Sequence, residues 1–460
     1  MKSIRMLSLI LILLLLTASI AACSGKNSEG EQSTNKEQNS AAADDTPKQE
    51  DQDKPAATEP ESENKEQITL KFMAPWGGEF DERVKPFVEE KFPNIKIELI
   101  SKWVGKQELE ETFAAKENPD ILLTTGGFEV LKDMELLYPL DDLANQFNVD
   151  LSAFRPGVLE SMRVRDPEGE NRLLGFPMED IQVALFYNKS IFDKFGVPYP
   201  KDGITWEEVI DLAKKLTGEK DGVKYHGIAK NGLSMPFMEL SATGTDPQTG
   251  EVLFTKEPRF KKYFDLLDKF RSISGNWDVE KEEDLYFQNQ TTAMAILSIT
   301  NLAGMHGTKG LSFDMVRVPG WADQPDITPN YAPLAVSVNP NSEHLKEAFE
   351  VIAFLASKEH QTRLHRHGSP SPLGDPDLAV QFGEDQMAGG NKQYNLQGVY
   401  TGSKADPAYS PFGPDSLYYG ENYVAEKASE FITSKEDVVT FLRKMDEDYA
   451  IKLKEKMNKK

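Results

Sequence analysis

"QVALFYNKSIFDKFGVPYPKDGITWEEVIDLAKKLTG", residues 182–218, sets the reading of the whole chain. An apolar run is followed by a helical pattern, then a Pro- and Gly-rich connection, then a second helix. Thr205 and Glu208 stand in T-x-x-E order, a capping box in which each side chain satisfies an orphan backbone donor. The periodic helix that follows stops at Gly218. Trp206 opens that helix and is expected to pack in a core. The stretch therefore predicts an α/β unit.

Outward from it the alternation continues. "TTAMAILS" (291–298) and "SFDMVRVPGW" (312–321) read as strands. "YAPLAVSVNPNSEHLKEAFEVIAFLASKEHQ" (331–361) reads as strand, turn and helix, with Leu345, Ala348, Phe349 and Ile352 inward. Upstream, "QITLKFMAPWGG" (67–78) alternates at Ile68, Leu70 and Phe72 before Pro75 and Gly77 stop it. Phe80, Val84, Phe87 and Val88 then share a helical face, with Pro86 predicting a late start or a kink. "NIKIELI" (94–100) alternates again, and "QELEETFAAKENPDILLTTGG" (107–127) reads as helix and buried strand. Strand–helix alternation points to a mainly parallel sheet covered by helices. Ligands of such sheets bind past the carboxyl ends of the strands. That places "PWGG" (75–78) and "TTGG" (124–127) on one rim.

The amino end carries an export layout. Lys2 and Arg5 precede an apolar run from Leu7 to Leu16, and the small residues Ala18, Ser19, Ala21 and Ala22 follow. The run is too short to prefer a permanent span, which takes about 20 apolar residues. Cys23 is the only cysteine in 460 residues, so no disulfide can form within the chain. From Ser24 to Glu66 there is no aromatic, Leu, Ile, Val or Met, and five Lys face twelve acidic residues. Such a segment cannot offset its ordering entropy and is expected to be a disordered tether. Its reach as a flexible coil is about 35–40 Å.

The remaining chain exceeds one ordinary core and predicts at least two lobes. The net charge of −23 with no basic cluster argues against nucleic acid. His365 and His367 in "RLHRHG" have no cysteine or clustered carboxylate beside them. They are expected as solvated helix-end residues and not as metal ligands. Glu179 and Asp180 are adjacent, whereas glycosidase carboxylates flank a bond from opposite sides. Nucleophile-elbow, P-loop and zinc-protease motifs are missing from the sequence.

Taken together, "NPDILLTTGG", "ELLYPLDDL", "LLGFPMEDIQVALFYNKSIFDKFGVPYPKDGITWEEVIDLAKKLT", "FQNQTTAMAILS", "FDMVRVPGW" and "AFEVIAFLASKEHQTRL" resemble the family 1 extracellular solute-binding proteins of ABC importers, typified by maltodextrin-binding protein. They occur in the family's order over roughly residues 68–370, and "IAAC" (20–23) resembles a bacterial lipobox.

The resemblance implies a two-lobed α/β fold of the periplasmic-binding-protein type II kind. The lobes would be joined by crossing hinge strands near Glu179–Val183 and Trp321–Leu334. It implies residues 1–22 as a lipoprotein signal peptide and 23–66 as the lipidated Cys23 with its tether. Lobe 1 would take 67–180 plus about 334–385, and lobe 2 would take 184–325 plus about 390–460. No catalysis and no cofactor are expected. The ligand would be a small molecule, with an oligosaccharide favoured over a peptide or polyol, and a secreted carbohydrate-active enzyme is the competing class. The partners would be ABC importer permease subunits. The protein would be a monomer on the outer face of the cell membrane.

A sugar site needs flat aromatic faces and fixed polar groups in a cleft that excludes water. The candidates are Trp76 and Gly77, then Thr124, Thr125 and Gly126, then Glu179 and Asp180. Ser298 and Asn301 follow on the second unit, and Trp321 and Tyr331 flank the second crossing. The aromatic run "YSPFGPDSLYYGENY" (409–423) is expected either to wall the cleft or to pack under a long loop.

Overall fold

The structure is a computed structural model that describes residues 66–124, 127–277, 289–412 and 421–458. Residues 1–65, with the export layout, Cys23 and nearly all of the tether, lie outside the described residues, as do Thr125 and Gly126.

The first strands are β1 (Ile68–Ala74), β2 (Ile95–Ser101), β3 (Ile121–Thr124) and β4 (Phe176–Glu179). Then come β5 (Val183–Asn188), the hairpin pair β6 (Gly218–Lys220) and β7 (Val223–Tyr225), β8 (Met294–Ser298) and β9 (Phe313–Arg317). The last are β10 (Ile327–Thr328), β11 (Leu334–Val338) and β12 (Ser403–Lys404).

The larger sheet has the order β2-β1-β3-β11-β4. β1 runs parallel to β2 and β3, while β11 runs antiparallel to β3 and β4. The carboxyl ends of β1, β2, β3 and β4 and the start of β11 therefore share one edge. Leu70, Phe72, Ile97 and Leu122 from its strands and Phe349 and Ile352 from the helix Leu345–Leu355 lie in one core. After β1 the chain forms two short helices, Gly78–Arg83 and Lys85–Lys91, broken at Val84 with Pro86 in the first turn of the second. A proline tolerates that position because a first-turn N–H has no helical partner.

The second sheet, β8-β5-β9, is antiparallel. Its central strand is buried on both faces by period-two alternation. Leu185 and Tyr187 belong to a core with Trp206, Phe260, Phe264 and the carboxyl-terminal Phe431, Phe441 and Tyr449. Ala184 and Phe186 belong to another cluster, with Phe382, Leu396 and Val399. The helix Trp206–Leu216 carries the reciprocal cap: the Glu208 amide donates to Thr205 Oγ1 at 3.3 Å and the Thr205 amide to Glu208 Oε2 at 2.8 Å. Trp206 is fully buried and donates to Glu239 Oε2 at 2.9 Å.

The chain passes from the first sheet to the second between Glu179 and Val183. It returns between Arg317 and Leu334, and β10 on that return pairs with β12. Among the described residues no helix is long and apolar enough to cross a membrane.

Candidate functional site

The shared edge of the first sheet meets the crossings at β4. Reading from the crossings outward, the edge presents Glu179, Leu334, Thr124, then the ends of β1 and β2. Val183 is in register with Ser298, so the carboxyl end of β8 adjoins the first crossing, and the Ile299 amide donates to Gln182 O at 3.0 Å. The two sheets thus bring their loop-bearing edges to the same crossings.

Trp76 leaves β1 at this edge. It is half-buried, and its ring stacks on Phe72 at 6.1 Å between centroids and 21° between planes. Gly77 and Gly78 beside it are exposed, and a methyl group added at either would meet nothing within 4 Å. Thr124 is buried and directs Oγ1 to Ala335 O at 3.4 Å, within the sheet. Ser298 caps the following turn, accepting from the Thr300 amide at 3.3 Å, and Asn301 Nδ2 donates to Ser298 O at 3.0 Å. The Asn301 side chain lies on the surface and Tyr331 is half-buried at the second crossing.

Glu179 pairs with Arg83 at 3.4 Å, and Arg83 also lies 4.0 Å from Glu79. Burial pushes the Glu179 carboxyl up, against the charge of Arg83. Asp180 is different. It is fully buried and ion-paired to Arg155 and to Lys404, the latter at 2.6 Å, and it accepts from Gln182 Nε2 at 2.8 Å. Its carboxylate is committed to the crossings and not offered to a cleft. Burial and the charges of Arg155 and Arg165 push the Lys404 ammonium well down.

Two expectations are corrected. Trp321 is 3 % exposed in the second core, with Nε1 bonded to Pro236 O at 2.8 Å and Lys262 Nζ 4.4 Å from its ring centre. Its apolar rings are better removed from water than left at a mouth, so it stands in the core and not in the site. His365 is buried and not solvated. Its Nδ1 accepts from the Ser371 amide at 3.1 Å, and burial lowers its pKa to about 4. His367 remains partly exposed, 3.6 Å from Asp385.

One contact joins the first sheet's side to the aromatic run. Tyr409 OH donates to Glu129 Oε1 at 3.2 Å. Glu129 opens the helix after β3, whereas Tyr409 belongs to a segment tied to the second core's side by Thr245–Ser410 at 2.6 Å and Ser241–Asp406 O at 2.7 Å. Arg165 faces Met238, Ser241 and Asn330 across a small cavity. Tyr409 lay within the aromatic run, but no local pattern pairs it with a glutamate 280 residues away.

The family model for bacterial extracellular solute-binding proteins matches residues 67–362, more than half of the chain. The chain is a bacterial extracellular solute-binding protein. This solute-binding protein is 26% identical over 322 residues to an ABC transporter extracellular-binding protein of Pyrococcus horikoshii, covering 65% of this chain and 70% of that one. It is 26% identical over 323 residues to the sn-glycerol-3-phosphate-binding periplasmic protein of Shigella dysenteriae, covering 65% and 71%. The fold matches the open conformation of a sugar transporter from Rhizobium etli with a TM-score of 0.66 at 18% identity, covering 84% of this chain and 99% of that one. The solute-binding protein is two-lobed and α/β, and its family consists of binding proteins of ABC importers, not enzymes.

Proposed function

We propose that this solute-binding protein is a monomeric, lipid-anchored receptor on the outer face of the cell membrane that hands a carbohydrate, an oligosaccharide, to an ABC importer. The lobes comprise 67–180 with about 334–385, and 184–325 with about 390–460. They close on the ligand by rotation at the crossings. Cys23 carries the lipid, and multiple acyl chains give stable anchoring where one is marginal.

The observation that carries the carbohydrate reading is Trp76: a half-buried indole on Phe72, next to two open glycines, at the carboxyl edge of the first sheet. An indole face covers the C–H side of a sugar ring while neighbouring polar groups take its hydroxyls. Gly77, Glu179, Ser298, Asn301 and Tyr331 supply the surrounding wall. Thr125 and Gly126 continue the rim in sequence.

A polyol phosphate, the kind of ligand the Shigella relative is named for, is the second reading, favoured by the guanidinium group of Arg83 beside Glu179. Arg83 already shares its charge between Glu79 and Glu179, which favours the neutral sugar.

A thermal-shift panel of glycans, peptides and sn-glycerol 3-phosphate tests the reading. A ligand at 100 times its Kd stabilises by about 2.7 kcal/mol. Stabilisation by glycans, with the glycan recovered intact, is the expected result. Stabilisation by the phosphate alone favours the second reading, and recovery of cleaved glycan favours an enzyme.

A further inference from the structure

The first crossing holds more buried positive charge than its own carboxylate offsets. Arg155 and Lys404 share Asp180, which is fully buried. Both cations are largely withdrawn from water, with side chains 18% and 7% exposed. The charge of Arg165 adds to the positive field at Lys404. Asp375 lines the same wall as Arg155, but it is occupied by Lys358 at 2.6 Å. His365 on that wall is buried and, with its pKa lowered to about 4, carries no charge at neutral pH. Two cations on one carboxylate leave an excess positive charge in a place where charge is costly.

Two cavities of about 230 Å³ each adjoin this cluster. Arg155, Gly374, Tyr400 and Thr401 line both and form the partition between them. The guanidinium carbon of Arg155 lies 5.5 Å from the centre of the Tyr400 ring. Arg155 Nε and the Tyr400 hydroxyl are buried and meet no acceptor among the described residues. A buried donor left unmet is costly, and an incoming oxygen acceptor relieves that cost.

The two chambers differ in chemistry. Leu373, Pro376, Leu378 and Ala379 make one of them apolar. Gln182, Thr328, Ser403 and Lys404 make the other polar. Gln182 belongs to the first crossing and Thr328 to the second. Trp76, Gly77, Glu179, Ser298, Asn301 and Tyr331 line neither chamber, so the pair is separate from the proposed solute site.

We propose that the joined chambers are a second ligand site, for a small monocarboxylate whose head group lies against Arg155 and Lys404 and whose apolar tail fills the chamber at Leu373 and Leu378. An apolar cavity of about 150 Å³ holds a benzene ring, so the tail chamber suits a phenyl or short alkyl group. A neutral alcohol of the same shape leaves the excess charge unmet. Phosphate meets the charge and leaves the apolar wall uncovered.

The test is calorimetry on the full chain in mild detergent. Benzoate and butanoate are the probes, with benzyl alcohol, 1-butanol and inorganic phosphate beside them. Each carboxylate is expected to bind about tenfold or more tightly than the alcohol with the same tail, the scale of a charge-assisted hydrogen bond. Tyr400→Phe keeps the ring against Arg155 and removes one donor, so it should weaken benzoate by about threefold to tenfold. Ala379→Phe fills the apolar chamber and should remove benzoate binding. Arg155→Gln should do the same, but it also loosens Asp180; if it fails to fold, the other two variants decide. Unchanged benzoate affinity in both Tyr400→Phe and Ala379→Phe overturns the site. So does the lack of binding by either carboxylate. Equal binding of the alcohols overturns the anion reading, and phosphate binding as tightly as benzoate overturns the tail chamber and leaves an adventitious ion only. These results do not depend on which solute the protein carries, so they stand or fall apart from the carbohydrate reading.

Discussion

Asp180 and Lys404 are 224 positions apart in the chain and 2.6 Å apart in the fold. Asp180 lies on the first crossing, and Lys404 lies on β12, paired to β10 of the second. Lys404 Nζ also reaches Tyr331 O at 3.4 Å, and the Asp180 amide donates to Pro370 O at 2.8 Å. One buried carboxylate, held by Lys404 and Arg155, thus pins the two crossing segments together. Removing one member of such a pair leaves an uncompensated buried charge. Asp180→Asn is expected to cost about 3–5 kcal/mol of stability, and the double variant with Lys404→Met should recover part of it. Urea unfolding of the single and double variants measures the coupling; additive losses would show that the pair does not act as one unit.

A hydrogen bond of 3.2 Å from Tyr409 to Glu129 joins the second core's side to the helix after β3. Burial and the Glu129 charge push the Tyr409 hydroxyl up, so it remains a donor at neutral pH. Tyr409→Phe removes about 0.5–1.5 kcal/mol from the arrangement in which the sides touch. Small-angle scattering of the ligand-free variant should report a larger radius of gyration than the parent. An equal radius would mean that the bond does not bias closure.

Trp76→Ala separates ligand contact from packing. The proposed role predicts a loss of roughly 1–3 kcal/mol in ligand affinity. Its half-buried place on Phe72 predicts a smaller loss of folding stability than the roughly 3–5 kcal/mol of a core tryptophan. Calorimetry and the unliganded Tm measure the two. Retained affinity with a collapsed Tm would remove Trp76 from the site.

His360 is buried between Phe87 and Phe354, with ring centroids at 5.6 and 5.2 Å. Burial, with a smaller contribution from the Arg363 charge, lowers its pKa from 6.5 to about 3. The folded-state value is depressed, so the stability from keeping the ring neutral is present above pH 6.5 and is lost as pH falls toward about 3. The scale is about 1.4 kcal/mol per pKa unit. His360→Leu should flatten the fall in Tm across that window relative to the parent. Parallel Tm–pH curves for the two proteins would refute the assignment.

Cys23→Ala tests the anchor. The variant is expected in the culture medium or as uncleaved precursor, and the parent in the membrane fraction. A variant processed normally and still fully membrane-bound would contradict lipid attachment.

What the chain alone determined was local. Period-two and period-3.6 patterns marked β1, β2, β5, β8, β9 and β11 and the helix behind Thr205, because each depends only on neighbours a few residues away. Pro86 announced the break that the structure places at Val84. Trp76 and Gly77 were visible as a strand end. Tertiary structure decided which polar and aromatic groups meet. Asp180 was joined to Lys404 and Arg155, Tyr409 to Glu129, and Trp321 was withdrawn into the second core. These outcomes depend on contacts closed over long stretches of chain and on the cost of leaving a charge or an indole in the wrong solvent. Neither is written in the few residues around any one of them.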